Sequence, residues 1–139
     1  MNIKGVVKLQ FPEIKDNRGN ISFVENGIHI PYDIKRVFYL YDIPTNSKRG
    51  GHAHLNTQQT IIAVSGSFDV HLDNGLEKAT IHLNHACEGL LLPIMIWREI
   101  DNFSSGSTCL VLASEFFDEK EYIRDYSKFK ALISSHEID

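Results

Sequence analysis

Two short apolar runs joined by a tight turn dominate residues 52–72, which read HAHLNTQQTIIAVSGSFDVHL. The runs 60–64 and 68–72 are rich in β-branched and aromatic residues, which favour strands. The linking turn, Ser65-Gly66-Ser67, has the composition of a hairpin loop. Residues 68–72 also alternate apolar and polar side chains, as a strand with one buried face does. The stretch therefore predicts a β-hairpin.

Further runs of the same type flank this hairpin on both sides. Each is bounded by turn residues such as Asp73-Asn74-Gly75, and a spacing of about 8–12 residues between turn signals is typical of all-β folds. The predicted strands cover residues 6–11, 21–25, 36–41, 60–64, 68–72, 79–83, 90–100 and 108–113. This pattern predicts an all-β sandwich or barrel.

The residues after Asp118 change from the period of a strand to that of a helix. Apolar side chains recur there at helical spacing, at Tyr122, Ile123, Tyr126, Phe129, Leu132 and Ile133. Asp118 and Glu121 form the pattern of a capping box, in which the first residue is the N-cap. We predict one C-terminal amphipathic helix that begins after Asp118 and packs its apolar face on the β-structure.

Length and charge exclude several classes of protein. The chain has 139 residues and 42% apolar content, which fits a single domain over residues 1–139. The formal net charge is −4, without a basic stripe, and this argues against nucleic acid or an anionic membrane as a partner. No apolar run has the length of a signal peptide core or a membrane span, so we expect a cytoplasmic protein.

Two of the seven histidines, His52 and His54, are separated only by Ala53. On a strand such a pair lies on one face, because side chains alternate with a period of two. Adjacent imidazoles suit metal ligation or proton transfer, whereas an isolated pair is often a solvated surface feature. The surrounding residues decide between these interpretations.

The residues around the pair resemble the two motifs of the cupin superfamily. After the paired histidines, the first motif has an acid and then a glycine, and Gln59 and Gly66 occupy those positions. The second motif has proline, histidine and asparagine, and Pro93, Arg98 and Asn102 follow in the same frame. The resemblance implies a small jelly-roll barrel.

Two of the positions that hold metal in cupins carry different residues here. Gln59 replaces the acid and Arg98 replaces the last histidine. A carboxamide lacks the charge that a divalent cation needs, and a guanidinium at the fourth ligand position repels one. We therefore predict no metal. A histidine, with a pKa near 6.5, can act as a general base, and an arginine can pair with a phosphate or steady an oxyanion.

Four segments resemble one group of cupins, the sugar-nucleotide 3,4-ketoisomerases with WxcM-like domains. They are IKRVFY at 34–39, RGGHAH at 49–54, VLASEFFDE at 111–119 and YIRDY at 122–126, within a similarity that extends from 7 to 129. The resemblance implies an isomerase, without metal or redox cofactor, that moves the keto group of dTDP-4-keto-6-deoxy-D-glucose from C4 to C3 through an enediol. It also implies a homodimer, with an exchange of the N-terminal strand at residues 6–11.

The same resemblance implies a biological role. The product would supply 3-amino-3,6-dideoxy sugars for surface polysaccharide, such as the O-antigen of lipopolysaccharide or the glycan of an S-layer.

The resemblance also assigns roles to the histidines and to two arginines. It implies that His54 is the main base and His52 its partner in a proton relay, although the residues alone do not order the pair. In this group, histidine after the second-motif tryptophan with arginine in the early turn goes with a galacto product. Arginine after this tryptophan, together with tyrosine in the early turn, goes with a gluco product. This chain has Arg98 and Arg18, so both products stay open.

The remaining candidates are side chains that would contact the substrate. Arg36 and Arg49 lie inside family-like segments and are expected to bind the diphosphate. Tyr39 would either hydrogen-bond the sugar or pack in the barrel. Gln59, at the position of the cupin acid, is expected to contact substrate rather than metal.

Three other functions fit parts of the pattern. A cupin epimerase acting on dTDP-4-keto-6-deoxyhexoses would also use a histidine base. A cupin that binds nucleotide sugars without catalysis would bind the substrate and leave it unchanged. A metal-dependent cupin oxygenase would contain stoichiometric iron or zinc.

Overall fold

The computed structural model describes residues 3–138, so Met1, Asn2 and Asp139 of the predicted domain lie outside the described residues. Within this range the chain forms twelve strands, a 3₁₀ turn at Glu119–Glu121 and one helix. The elements are β1 Val7–Gln10, β2 Glu13–Ile14, β3 Ile21–Ser22, β4 Arg36–Leu40, β5 Arg49–His54, β6 Gln59–Ser65, β7 Phe68–Asp73, β8 Lys78–Leu83, β9 Glu88–Leu92, β10 Trp97–Asp101, β11 Thr108–Ala113, β12 Tyr122–Ile123 and α1 Tyr126–Ile138.

Two five-stranded antiparallel sheets face each other, and the apolar core lies between them. Their orders are β1-β9-β6-β11-β4 and β12-β5-β10-β7-β8, while β2 and β3 form a separate two-stranded arm. Buried side chains of both sheets meet in this core, among them Phe68, Val70, Leu90 and Val111. The all-β prediction is confirmed, and no helix in the described part of the chain is long and apolar enough to cross a membrane.

The hairpin predicted over residues 60–72 is wrong in its pairing. β6 pairs with β9 and β11, whereas β7 pairs with β8 and β10, so the turn carries the chain from one sheet to the other. The turn packs on a neighbouring loop, where the Ser67 backbone N–H donates to Ser104 Oγ at 2.9 Å and Ser65 Oγ donates to the Gly106 carbonyl at 2.8 Å. Apolar side chains of both runs are buried in the same core from opposite sheets, namely Ile61, Ala63, Phe68, Val70 and Leu72.

Two other predicted strands are shorter than expected. Residues 90–100 are divided between the end of β9 and the beginning of β10. Pro93 and the positive φ of Met95 (60°) turn the chain between these two strands. Of residues 21–25, only Ile21–Ser22 form a strand, and they pair with β2 in the exposed arm.

The C-terminal helix begins at Tyr126, later than the capping-box pattern predicts. Asp118 caps the 3₁₀ turn instead, and its carboxylate accepts from the Lys120 backbone N–H at 3.0 Å. β12 then pairs with the edge of β5, and this tertiary pairing overrides the helical spacing of its two residues. The helix does pack its apolar face on the β-structure, where Phe129 is fully buried against Trp97 and Ala53.

Candidate active site

Strand β5 aims the two histidines into the space between the sheets. His52 and His54 lie on one face of the strand, as the alternation predicts, and their ring centroids are 4.9 Å apart. Ala53 points the other way, into the cluster under α1. His54 is fully buried and His52 is half-buried. The strand thus separates a polar chamber from an apolar cluster.

A bulge beside the histidines sets their position relative to β10. Arg98 pairs with His52 and Glu99 pairs with Gly50, so Gly51 is an extra residue on β5. Gly50 and Gly51 have φ of +88° and +77°, and a Cβ on Gly50 would lie 2.8 Å from the Arg98 carbonyl oxygen. Only glycine fits at Gly50, and the bulge brings the chains of β5 and β10 close at this point.

Arg98 and Gln59, the two substituted cupin positions, are in direct contact. Arg98 is 2% exposed, and its Nη1 donates to Gln59 Oε1 at 2.6 Å while its Nη2 donates to the Ile96 carbonyl at 3.0 Å. Burial lowers the pKa of Arg98 to about 10, so the guanidinium stays charged at neutral pH. Within the described residues, Gln59 Nε2 has no hydrogen-bond partner and is available to a ligand.

Both histidines are neutral at neutral pH. Burial is the largest cause, followed by the positive charge of Arg98, and together they lower the pKa of His52 to about 3 and that of His54 to about 4. A neutral imidazole has one nitrogen that can accept a proton. The chamber therefore contains two proton acceptors beside a permanent cation.

Glu121 is a site residue that the sequence pattern misassigned to a helix cap. Its carboxylate is buried and lies 2.5 Å from His54 Nδ1, and it also accepts from Thr57 Oγ1 at 2.7 Å and from the Asn56 backbone N–H at 3.1 Å. Burial alone would raise the pKa of Glu121, but these hydrogen bonds more than offset that and lower it. Sequence spacing gave no signal for the contact, because 67 positions separate Glu121 from His54.

Tyr122 is a second residue that the sequence pattern placed on the helix and that lies at the site. Its ring centroid is 4.4 Å from that of His54 and 5.1 Å from that of His52. Arg36 approaches the Tyr122 hydroxyl at 3.5 Å from Nη1, and its guanidinium lies over the rings of Phe38 and Phe117. Among the described residues, Arg36 Nε and Nη2 are buried without partners.

An interior cavity connects most of the predicted site residues. Arg49, His52, Gln59 and Arg98 line it together with apolar side chains of both sheets. His54 adjoins His52, and Arg36 reaches the same region through Tyr122.

Two residues that are predicted to contact the substrate, Tyr39 and Arg18, lie away from the chamber of their own chain. Tyr39 alternates with Arg36 and Phe38, faces the outside of its sheet and is 58% exposed. Tyr39 therefore does not pack in the barrel of its own chain, and its hydrogen bond to the sugar stays a prediction. Arg18 lies in the turn before β3, where its exposed guanidinium pairs with Asp16 at 2.7 Å. In the part of one chain that the structure describes, this ion pair accounts for its contacts.

A groove of ≈ 550 Å³ lies on the outer face of the second sheet. Trp97 and Glu99 line it together with His71, and they alternate along β10 with the inward Arg98. His71 and the neighbouring His82 form ion pairs with Asp101 and Asp69. Both pairs lie outside the chamber between the sheets, which contains His52, His54 and Arg98.

The four cupin metal positions hold two imidazoles, a carboxamide and a guanidinium. Among the described residues, no group of three or more His, Cys, Asp or Glu side chains is arranged to hold a metal ion. The hydrogen bond between Arg98 and Gln59 occupies the part of the site where the acid and the third histidine of a metal cupin would meet.

Two facing antiparallel sheets, with paired histidines on an inner strand, define a cupin-type enzyme. The family described as FdtA, WxcM-like, C-terminal matches residues 4–134. The chain belongs to this family. It is 37% identical, over 94% of both chains, to a TDP-4-oxo-6-deoxy-alpha-D-glucose-3,4-oxoisomerase from Aneurinibacillus thermoaerophilus. This relative is an isomerase.

Solved structures show the same fold. A histidine-to-asparagine variant of the 3,4-ketoisomerase QdtA from Thermoanaerobacterium thermosaccharolyticum, in complex with TDP-4-keto-6-deoxyglucose, is 34% identical with a TM-score of 0.93, covering 96% of each chain. The TDP-quinovose 3,4-ketoisomerase WlaRB from Campylobacter jejuni is 43% identical with a TM-score of 0.89, covering 93% of this chain and 99% of its own. A dTDP-4-dehydrorhamnose 3,5-epimerase from Bacillus anthracis is 13% identical with a TM-score of 0.76, covering 88% of this chain and 79% of its own, and it shares the cupin fold alone.

Proposed function

We propose that this chain is a sugar-nucleotide 3,4-ketoisomerase that converts TDP-4-keto-6-deoxyglucose into the 3-keto isomer. The observation that carries the proposal is the pair of neutral histidines beside Arg98, of which His54 is fully buried and His52 half-buried. Among the described residues, His54 Nε2 and His52 Nδ1 are buried without partners, as proton acceptors awaiting a substrate would be. Family membership and the substrate bound to a relative of known structure support the same reaction.

The reaction relocates two protons, one from C3 to C4 and one from O3 to O4, and needs no external electrons. His54 removes the proton from C3, the C3–H electron pair forms a C3=C4 double bond, and the carbonyl oxygen O4 takes a proton to give an enediol. The O3 proton is then lost, C3 becomes the carbonyl, and C4 receives a proton. We assign His52 as the partner that relays protons between these positions. The fixed charge of Arg98 stabilises the negative charge that develops on the enediolate oxygens.

Arg49 and Arg36 are the cations that we assign to the diphosphate. Arg49 is exposed and lines the cavity, whereas Arg36 has buried guanidinium nitrogens without partners among the described residues. Guanidinium groups pair with phosphate oxygens through two parallel hydrogen bonds. Gln59 Nε2 is assigned to a sugar hydroxyl.

For the configuration at C4, we propose the gluco product. Of the two positions that distinguish the products in related enzymes, Arg98 lies in the chamber and corresponds to the gluco pattern. Arg18, the residue of the galacto pattern, is exposed on the arm of its own chain. The alternative is the galacto product, with Arg18 supplied to the chamber of a partner.

We further propose a cytoplasmic homodimer that supplies 3-amino-3,6-dideoxy sugars for surface polysaccharide. In one chain β1 pairs with β9, and in an exchanged dimer the same pairing would form between chains. Exposed apolar side chains on β1, β2 and β3 support burial against a partner, among them Val7, Ile14 and Ile21.

Proton NMR of the product formed from TDP-4-keto-6-deoxyglucose tests the proposal. We expect loss of the C3 proton signal, a new C4 proton, and a large H4–H5 coupling if the product is gluco. A 3,5-epimerase would instead invert carbon configuration and leave the ketone at C4. A binding protein would retain the substrate unchanged at saturating enzyme, and either of these results would overturn the proposal. Turnover should persist after treatment with a chelator.

A further inference from the structure

We infer that Gln59 is a further catalytic residue, whose side-chain N–H groups act with those of Arg98 to stabilise the two reacting oxygens of the sugar as they gain negative charge. These two side chains stand at two of the four positions that hold the metal in a cupin metal site. The inference rests on the proposed function for the identity of the ligand. The direction in which the two side chains present their N–H groups is a property of the free protein.

The hydrogen bond between Gln59 and Arg98 joins the two sheets across the chamber. Gln59 begins β6 in the first sheet, Arg98 lies on β10 in the second, and Nη1 is 2.6 Å from Oε1. Both side chains are buried and line the interior cavity together with His52. A ligand that reaches the imidazole of His52 therefore also meets this pair.

The guanidinium determines which end of the Gln59 amide is left for a ligand. Arg98 has only donors, so the amide oxygen must face it and the amide nitrogen must point elsewhere. Among the described residues, Gln59 Nε2 is buried and has no hydrogen-bond partner. A reversed amide would place donors against donors and lose the hydrogen bond. The unused group of Gln59 is therefore a donor.

Arg98 also has N–H groups that the described part of the chain does not use. Its hydrogen bonds in that part run from Nε and Nη2 to the Ile96 carbonyl at 3.3 and 3.0 Å, and from Nη1 to Gln59. A guanidinium has five N–H donors, so one N–H on Nη1 and one on Nη2 remain. The pair thus offers a ligand several donors and one positive charge, and its own acceptor, Gln59 Oε1, faces Arg98.

This set of donors matches the intermediate of the proposed reaction. O3 and O4 are bonded to adjacent carbons, and both carry part of the negative charge while the enediolate exists. Donors that are already fixed where charge develops stabilise the transition state more than the ground state. Arg98 supplies the charge and Gln59 a second, neutral donor, so the sugar hydroxyl assigned to Gln59 is one of the two reacting oxygens.

Gln59→Glu removes the donor of this residue but keeps its acceptor for Arg98. The carboxylate stays ionised beside the guanidinium and presents an oxygen, instead of Nε2, to the substrate. We expect kcat with TDP-4-keto-6-deoxyglucose to fall by about 10²–10³-fold, as for loss of one oxyanion donor, and KM to change far less. The affinity for TDP should stay parental, because the nucleotide contacts are assigned to other arginines.

The pH profile of kcat distinguishes a lost donor from altered histidines. A new carboxylate also raises the pKa of nearby imidazoles, and a loss caused by their protonation would disappear at high pH. We expect the loss to persist up to about pH 9, well above the ordinary histidine pKa of about 6.5. Gln59→Met, which adds no charge, should also lower kcat.

Gln58→Glu is the matched control, since it makes the same change at the preceding residue. Gln58 is half-buried, and its backbone N–H donates to Ser114 Oγ at 2.9 Å. It is not among the described residues that line the interior cavity. This variant should keep the parental kcat and pH profile.

NMR of ¹⁵N-labelled protein tests the contact without any reaction. The side-chain amide signals of Gln59 are assigned by their absence in Gln59→Glu. TDP-glucose has hydroxyls at C3 and C4 but no ketone, so it binds without isomerising. We expect TDP-glucose to shift the Gln59 amide signals and TDP alone to leave them in place.

Four results would overturn the inference. They are parental kcat in folded Gln59→Glu, a loss confined to KM as for a uniform binding contact, a loss that disappears at high pH, and Gln59 amide signals that TDP-glucose does not shift. If the parent protein does not turn over TDP-4-keto-6-deoxyglucose, the proposed function and the catalytic role fail together. The amide shift then still decides whether Gln59 contacts the sugar.

Discussion

A buried arginine controls the charge of the whole site. Removing a guanidinium from water costs several kcal/mol, and Arg98 offsets this with hydrogen bonds to Gln59 and Ile96 and with the nearby charge of Glu121. Its cation in turn disfavours protonation of His52 and His54. At the scale of single residues, burial and the charge of Arg98, which stands at the position of a cupin metal ligand, together keep the two imidazoles neutral.

The role proposed for His54 as the base leads to a direct prediction. His54→Asn should abolish exchange of the C3 proton of the substrate with deuterated solvent, because the group proposed to remove that proton is then missing. The affinity for TDP should stay nearly intact, since the nucleotide contacts are assigned to arginines. Proton NMR follows the exchange, and calorimetry gives the affinity.

His71→Asn is the matched control for this variant. His71 lies on the outer face of the second sheet and pairs with Asp101, so its loss should leave exchange unchanged. Parental exchange in His54→Asn would refute the assignment of His54 as the base.

At the scale of elements, the bulge between β5 and β10 determines where the histidines point. Gly50 and Gly51 both have positive φ, but only Gly50 approaches another backbone. A Cβ on Gly51 would meet no atom within 4 Å, whereas one on Gly50 would lie 2.8 Å from the Arg98 carbonyl oxygen. Alanine variants at the two glycines therefore distinguish the cost of a positive φ, which both share, from the cost of a steric clash, which only Gly50 has.

Gly50→Ala should destabilise the fold more than Gly51→Ala. An alanine at positive φ costs about 1–2 kcal/mol at either position, and Gly50→Ala adds the displacement of β10 from β5. Urea denaturation gives both free energies of unfolding. Gly50→Ala should also lower kcat, because the displaced strands carry Arg98 and His52. Equal stability of the two variants would contradict this account.

At the scale of the whole molecule, the enclosure of His52 and His54 between the two sheets makes the free energy of unfolding depend on pH. The unfolded chain protonates its histidines below a pH of about 6.5, while His54 and His52 stay neutral in the folded chain down to about 4 and about 3. The unfolded state then binds more protons, so stability decreases as pH falls. The contribution is fully present above a pH of about 6.5 and is lost progressively as pH falls to about 4 for His54 and about 3 for His52.

Thermal denaturation between pH 7.5 and 4.5 measures this effect. We expect Tm to fall across that range, and we expect a shallower fall in the double variant His52→Asn/His54→Asn. Protonation of Glu121 acts in the same direction, but at lower pH, because its pKa lies below the ordinary value of 4.5. A Tm that is flat or that rises toward pH 4.5 would contradict the assignment of neutral buried histidines.

The sequence by itself determined the strands, the inward histidine pair and the two substitutions at the cupin metal positions. Strand periodicity and residue type are local properties, so residues 68–72 and 108–113 are predicted well. The motif frame predicted the positions of Gln59 and Arg98, and the structure added their hydrogen bond. The chain's family was also predictable, because its motifs occur in fixed order.

Only the tertiary structure decided which strands pair and which residues support the base. The turn at Gly66 has the composition of a hairpin loop, yet its two strands belong to different sheets, because both bury their apolar faces in one core. Glu121 and Tyr122 follow a helical pattern locally, yet pairing of β12 with β5 brings them to His54. Contacts between residues far apart in sequence arise when the two sheets close on each other, and the local spacing of residues does not predict this closure.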